Sequence, residues 1–362
     1  MARRPIVLLM IPHLGGGGAE RVTALVAGGL DPARYEVHLC LVTQRDAAGF
    51  FVPSWVTVHG LGASRVRWAA WKLVRLVRRL RPDLMVSGMA HLNLLALLVR
   101  PLFPRNARLI VRQNGSTIAM RRTWWYRLLY PRADAVVCQS SAMAIEMTQS
   151  TGMEHNMRVL PNPIDVEEIR EVSLGAPNRW KGEGPHLLAI GRLSPEKGFD
   201  LLLAALARLR HRFPSADLTI LGEGRDRLTL ELLSRMLGVS AVVRFAGNVA
   251  DPAAWFSGAA LFVLTSRTDA MPNALLEAAA GGLPIVATQA SRGLVELLEE
   301  KPGVWLAQET SVDGIESALR TALDELEPGR RFPHAWVEAF RKERAIAAYQ
   351  ALIEEQLAEA AR

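Results

Sequence analysis

Cysteine is almost missing from this chain of 362 residues: Cys40 and Cys138 are the only two, each inside an apolar stretch that reads as a strand. Buried thiols in a reducing cytoplasm are the expectation, with a single disulfide the less favoured alternative. Long apolar runs are missing as well. No stretch approaches the roughly 18 apolar residues that cross a bilayer, so any membrane contact is expected to be peripheral. Arg3-Arg4 and Ile6–Ile11 resemble the start of a signal peptide, but the run stops at Pro12, a glycine cluster and charged Glu20-Arg21 without a convincing cleavage site. A first buried strand is the better reading. No His/Asp/Glu cluster has metal-ligand spacing and no Asp-x-Asp motif occurs, which argues against a metal hydrolase or a metal-bound diphosphate. G-x-S-x-G is absent, against a serine hydrolase. The glycines nowhere form the G-x-G-x-x-G fingerprint with its later ribose-binding acid.

What is present fits a well-filled globular chain, with 50% hydrophobic and 22% charged residues. The length suits two α/β halves sharing a cleft better than one doubly wound domain. Apolar β-like runs alternate with amphipathic stretches throughout, predicting mainly parallel sheets covered on both faces. The first cycle runs from Ile6 to Gln139 and the second begins at His186. Expected boundaries are 1–170 and 171–337, with Leu174–Pro185 the linker and a closing helix from about 338 to 362. Charge divides along the same line. Residues 1–170 carry 22 Lys+Arg against 11 Asp+Glu, and the remainder 21 against 25, within an overall +7. A basic half implies an anionic partner, whether membrane surface, nucleic acid or phosphorylated acceptor.

Two constellations carry chemistry. Ser266-Arg267-Thr268-Asp269-Ala270-Met271-Pro272-Asn273-Ala274-Leu275-Leu276-Glu277 follows a strand and enters a helix with Pro272 expected at its first position. Amides at Met271–Ala274 beside a positive helix end form a phosphate site. Asp269 and Glu277 are then placed to accept from sugar and ribose hydroxyls. Ile190-Gly191-Arg192-Leu193-Ser194-Pro195-Glu196-Lys197-Gly198 is again a strand end, where Arg192 and Lys197 converge on one diphosphate. A departing nucleoside diphosphate gains charge, so fixed cations aimed at it lower the barrier. Weaker signals are Gly222-Glu223-Gly224 and Arg244-Phe245-Ala246-Gly247 after the next strands, and Gly15-Gly16-Gly17-Gly18 in the first half. The bland alternative for each is a capped helix or a solvated turn.

Together these residues resemble the retaining glycosyltransferases of family four (group 1), of GT-B fold. The likeness rests on Gly191-Arg192-Leu193 with Lys197-Gly198, Asp269-x7-Glu277, the opening glycines and Leu160-Pro161-Asn162-Pro163-Ile164-Asp165. The resemblance implies a metal-independent transfer from a nucleotide sugar, with a UDP-sugar the expected donor and no cofactor. It makes the first half the acceptor domain and the second the donor domain, with the closing helix packing back on the first. Arg192 and Lys197 would bind the diphosphate, Glu277 the ribose and Asp269 the transferred sugar. Gly191, Glu223, Phe245, Ala270, Met271, Pro272 and Asn273 would line the donor site, and Gly15, Gly16 and Gly17 would lie near phosphates and acceptor. The family pattern usually has Glu-Gly where this chain has Asp269-Ala270, which leaves the donor sugar open. Some members place a histidine where this chain reads Arg112-Gln113-Asn114. His91, after a neighbouring strand, and Asn114 are the candidates to act in its place, against a purely structural role for His91.

The segment Arg65–Leu80 reads as one helix whose Arg65, Arg67, Lys72, Arg75, Arg78 and Arg79 oppose Val66, Leu73, Leu76, Val77 and Leu80. Trp68 and Trp71 fall inside the basic arc, where a headgroup interface explains them better than burial does. Trp124-Trp125-Tyr126 between Arg121-Arg122 and Arg127 repeats the combination. A lipid-linked acceptor at an anionic membrane surface, on the cytoplasmic inner face, follows as the expectation, with no nucleic-acid partner. Two alternatives stay open: a nucleotide-sugar epimerase on the same double fold, and a basic nucleic-acid-binding protein.

Overall fold

The computed structural model describes residues 3–43, 52–115, 124–153 and 155–360. The chain divides into two compact units, Met1–Pro163 with Ala339–Arg362, and Ile164–Glu338. In the first, β1 (Ile6–Ile11) is buried at every position, as a strand covered on both faces must be. It leads through α1 (Gly18–Gly29) to β2 (Glu36–Leu41) and β3 (Thr57–Gly60). There follow α2 (Ala70–Leu80), β4 (Leu84–Gly88), α3 (Ala90–Val99), β5 (Arg108–Arg112), α4 (Trp124–Leu129), β6 (Ala135–Cys138), α5 (Ser141–Thr151) and β7 (Met157–Val159). The strands pair in parallel in the order β3-β2-β1-β4-β5-β6-β7, so the winding reverses between β1 and β4. Right-handed crossovers then put α1 on one face of the sheet and α2 to α5 on the other, and those four helices do pack side by side.

The second unit runs α6 (Val166–Gly175), β8 (His186–Ile190), α7 (Phe199–Leu209), β9 (Asp217–Leu221), α8 (Arg227–Met236) and β10 (Val243–Gly247). It continues with β11 (Leu261–Leu264), α9 (Asn273–Ala280), β12 (Ile285–Ala287), α10 (Arg292–Leu298), β13 (Val304–Leu306) and α11 (Val312–Glu325). Its parallel order is β10-β9-β8-β11-β12-β13, with the reversal between β8 and β11. Side-chain oxygens of Asp165, Ser291 and Ser311 cap α6, α10 and α11, each satisfying an amide that the first helical turn leaves open. Then α12 (Lys342–Ala360) returns to the first unit. It lies on the α1 side, where Tyr349, Leu352 and Ile353 join the core of Val7, Leu9, Val26 and Val37. At Gly29 a Cβ would overlap the Ile346 side chain, so the close approach of α1 and α12 depends on glycine.

Three boundaries differ from the sequence reading. The units part at Pro163/Ile164 rather than after residue 170, because α6 packs on α9 and on the turn Pro252–Trp255 of the second unit. Leu174–Pro185 accordingly lies inside that unit, with Trp180 stacked on His186 and edge-on to Trp255. The stretch Arg65–Leu80 is not one helix: a 3-10 turn over Val66–Trp68 precedes α2, and the two meet at Ala69 (φ −87°, ψ −5°).

In the second unit, His334 is buried, and its Nε2 lies 2.8 Å from the Leu283 carbonyl oxygen. Burial lowers its pKa below the ordinary 6.5, the carbonyl only partly opposing the shift. Below about pH 6.5 the unfolded chain therefore takes up a proton that the folded chain refuses, and stability falls with pH until the lower folded pKa is passed. Thermal melts should show this acid slope, with His334→Gln flattening it. His59 and His91 are shifted in the same direction, so some slope remains.

Candidate functional site

In open parallel sheets, ligands bind beyond the carboxyl ends of the strands at the point where the winding reverses. In the second unit that point lies between β8 and β11, and the two chemistry-bearing motifs are the segments that leave these two strands. The backbone fastens them together. Arg267 N–H donates to the Glu196 carbonyl at 2.8 Å and Thr265 Oγ1 to the Lys197 carbonyl at 3.0 Å. Arg267 forks onto Asp200 at 2.7 and 2.6 Å, holding Asp200 below its ordinary pKa. Gly198 takes φ +65°, and a Cβ there would overlap the Thr265 carbonyl oxygen.

On this frame Lys197 Nζ donates to Asp269 Oδ2, so the two residues assigned from sequence to diphosphate and sugar meet in one ion pair. Arg192 is exposed. Burial works against ionisation of Glu196, but hydrogen bonds and the charges of Arg192 and Lys197 outweigh it and hold that carboxyl below its usual range. The Lys197 side chain lies over Gly191, 3.5 Å from where a Cβ would stand. Ala270, Met271 and Pro272 are buried ahead of α9, and Glu277 projects from its second turn at 6% exposure. Pro272 occupies the N-cap and Asn273 the first helical position, one residue later than expected. A proline cannot cap with its side chain, so no side-chain cap closes α9, whose Leu275 and Leu276 amides donate to the Pro272 carbonyl at 3.1 and 3.4 Å, and the positive end of the helix faces the motif loop. Glu223 is exposed and accepts from Arg227 at 2.7 Å, while the Arg227 guanidinium lies 5.2 Å from the centre of the Phe245 ring. Both belong to the neighbouring β9 and β10 ends, which place them at the border of the site.

The first unit repeats the logic on different residues. Gly15, Gly16 and Gly17 follow β1, with Gly16 at φ +93° and Gly17 at the N-cap of α1. His91 follows β4 and Asn114 follows β5, so all three segments gather at the carboxyl edge beside the reversal point. Both amide atoms of Asn114 are buried without a hydrogen-bond partner among the described residues. Met89 holds φ +76° at the junction leading to His91, an uncommon state for a side-chain-bearing residue and typical of functional turns. Sequence reasoning missed two residues here. His13 Nδ1 lies 3.1 Å from Gly15 N and 3.4 Å from Glu20 Oε1, and Glu20 is only 1% exposed. The signal was available as the N-cap to N3 spacing of Gly17 and Glu20. Burial, and then the charge of His13, lower the His91 pKa, favouring a neutral imidazole.

The aromatic residues singled out for a membrane lie on the α2 to α5 face. Trp68, Trp71 and Trp124 are 66%, 70% and 61% exposed, and Trp125 stacks on Trp124 at 3.9 Å. Arg75 and Arg79 are exposed while Leu73, Leu76 and Val77 are buried, as the periodicity requires. Trp68, however, sits on the 3-10 turn outside the helical arc, and Lys72 is tied back to the Leu61 and Gly62 carbonyls at 3.0 and 3.2 Å. Arg121 and Arg122 lie outside the described residues. Among the described residues no helix is long and apolar enough to cross a membrane.

Two Rossmann-like sheets, each with polar loops gathered at its reversal point, define a doubly wound α/β class whose ligands bind at those points. Comparison narrows it. Residues 16–168 match the model for Glycosyltransferase Family 4, and residues 184–325 that for Glycosyl transferases group 1. The chain belongs to the family-four (group 1) glycosyltransferases. LpsE of Rhizobium meliloti, a lipopolysaccharide core biosynthesis glycosyltransferase, is 31% identical over 63% of this chain and 65% of its own length. The matches span less than two thirds of the first curated relatives. HepE of Anabaena, solved with UDP and glucose, superposes with a TM-score of 0.78 at 18% identity over 96% of this chain and 99% of that one. Sucrose-phosphate synthase of Thermosynechococcus elongatus gives 0.81 at 17% identity over 99% and 100%. At these identities the likeness is one of fold, and the fold is GT-B.

Proposed function

We propose that the chain moves a sugar, with retention of anomeric configuration and without a metal, from a UDP-sugar to a lipid-linked or polysaccharide-precursor acceptor. The work is done at the cytoplasmic face of the membrane during cell-surface glycan synthesis. The observation that carries this reading is the clamped pair of loops after β8 and β11, which joins Lys197 to Asp269 in one ion pair ahead of α9. The bond from the anomeric carbon to the diphosphate breaks with its electron pair leaving on the nucleoside diphosphate. Arg192, Lys197 and the positive end of the α9 dipole stabilise that charge. The acceptor oxygen bonds to the same face of the anomeric carbon, and its proton passes to the departing phosphate. Asp269 fixes the sugar hydroxyls and Glu277 the ribose. The first unit takes the acceptor at Gly15–Gly17, His91 and the unpaired amide of Asn114. The UDP held by HepE and the lipopolysaccharide role of LpsE support the choice of donor and pathway class.

The test is UDP release from a panel of UDP-sugars with and without lipid-diphosphate-linked acceptors, in a chelator, with the product anomer read by NMR. Release independent of acceptor would favour an epimerase or hydrolase, abolition by chelation would remove the metal-free step, and an inverted product would remove retention. Glu277→Gln replaces an ionised acceptor by a neutral amide, so UDP affinity by calorimetry should drop about tenfold. Unchanged affinity would take Glu277 off the ribose.

A further inference from the structure

At the opposite, amino edge of the first sheet, a cavity of about 450 Å³ opens between Arg100, Arg105 and Arg132, with Pro101, Phe103 and Pro104 among its walls. The volume suits a small organic ligand and exceeds what a bare phosphate fills. Arg100 is neutralised by Asp134 at 2.6 Å, an acid it shares with Arg108. Arg105 and Arg132 are exposed and have no carboxylate within ion-pair distance among the described residues, and no acid lines the cavity. Two uncompensated guanidiniums over an apolar wall match an anion that carries an apolar stem. The surroundings extend the apolar part. Leu98 and Leu102, both exposed, flank Arg100 in sequence, and Arg78 Nε donates to the Leu102 carbonyl at 2.9 Å.

Arg100 lies on a 3-10 turn that directly follows α3, and Arg132 on another that packs against α3. Helix α3 also contacts α2, α4 and the Val66–Trp68 turn, so the cavity shares its face with the exposed tryptophans. Strand β5 separates it by roughly 20 Å, at ~3.3 Å per residue, from Asn114 at the other edge. It is therefore not part of the site of transfer.

We propose that this cavity binds the phosphate headgroup of an anionic phospholipid and so fixes how the first unit sits on a membrane. The inference builds on the membrane part of the function proposed above. Each guanidinium that meets the phosphate makes a charge-assisted hydrogen bond contributing about fivefold or more to affinity, so removal of two should cost roughly 25-fold.

The test is calorimetric titration of the whole chain with dihexanoyl phosphatidylglycerol below its micelle concentration, beside inorganic phosphate. Saturable lipid binding weakened about 25-fold in Arg105→Ala/Arg132→Ala at unchanged melting temperature is the expected result, with inorganic phosphate binding far more weakly. Equal affinity for inorganic phosphate would reassign the cavity to a free anion. Lipid binding indifferent to both arginines would overturn the proposal. Sedimentation with anionic vesicles separates the two claims. Pelleting lost in Trp68→Ala/Trp71→Ala but kept in the arginine variant would refute the cavity and keep the membrane. Monomeric lipid bound without pelleting would do the reverse.

Discussion

Lys197→Ala should lower turnover by ~10²–10³-fold, the loss usual when a fixed electrostatic donor to a developing anion is removed, and Arg192→Ala should do the same. The first variant has a second effect. Asp269 loses the cation to which it is bonded, leaving a carboxylate at 16% side-chain exposure without compensation beside an incoming diphosphate. Like charges then oppose donor entry as well as departure. KM for the donor should therefore rise in Lys197→Ala while Arg192→Ala, exposed and unneeded by Asp269, acts mainly on kcat. Lys197→Ala/Asp269→Asn should recover donor affinity but not turnover. Steady-state kinetics decide, and turnover within a few-fold of wild type in both single variants would remove the two cations from the reaction.

The other large effect is expected from a single methyl group. Gly222 holds φ +139°, and a Cβ there would overlap the Gly191 carbonyl oxygen. The backbone has no freedom to yield: Gly222 N–H donates to the Gly247 carbonyl at 2.8 Å, while Gly191 N–H is held by Leu221 at 2.9 Å. Gly222→Ala thus combines a forbidden backbone state with overpacking against main chain, a loss on the order of 3 kcal/mol or more. For a unit of this size that lowers the melting temperature by about 6–12 °C. It also displaces Gly191 and Arg192, so donor affinity falls in whatever fraction stays folded. A melt coincident with wild type would show that the strand ends yield to the added methyl group. Gly152→Ala, also at positive φ but with nothing within 4 Å, is the control with a much smaller cost.

Buried strands were legible because both faces are covered, so β1 and β11 read as unbroken apolar runs and β8 as one from Leu187 onward. The edge strands were not. Thr57–Gly60 is mostly exposed and Met157–Val159 has three residues, too short and too polar for either period to register. The motifs themselves were visible as strand ends entering helices. Their union was not, since Lys197 and Asp269 are 72 positions apart and meet only because β8 and β11 are neighbours across the reversal. The start of α9 slipped by one residue because proline is equally at home just before a helix and at its first position. Residues 65–69 deceived for another reason: their side chains continue the helical period, but Val66–Trp68 form a 3-10 turn rather than the first turn of α2. The bonds from Lys72 to the Leu61 and Gly62 carbonyls were not legible either, because those partners lie in a loop whose position no pattern reveals.

The return of α12 to the first unit has a consequence for biosynthesis. During translation the ribosome delivers β1 to β7 first, yet the surface that Tyr349, Leu352 and Ile353 cover must wait until the whole second unit has been made. The second unit is continuous in sequence and can close as soon as it emerges. Order of synthesis and order of completion are thus opposed. The amino-terminal sheet spends that interval with Val7, Leu9, Val26 and Val37 short of their final cover, which is where a chaperone would find the nascent chain.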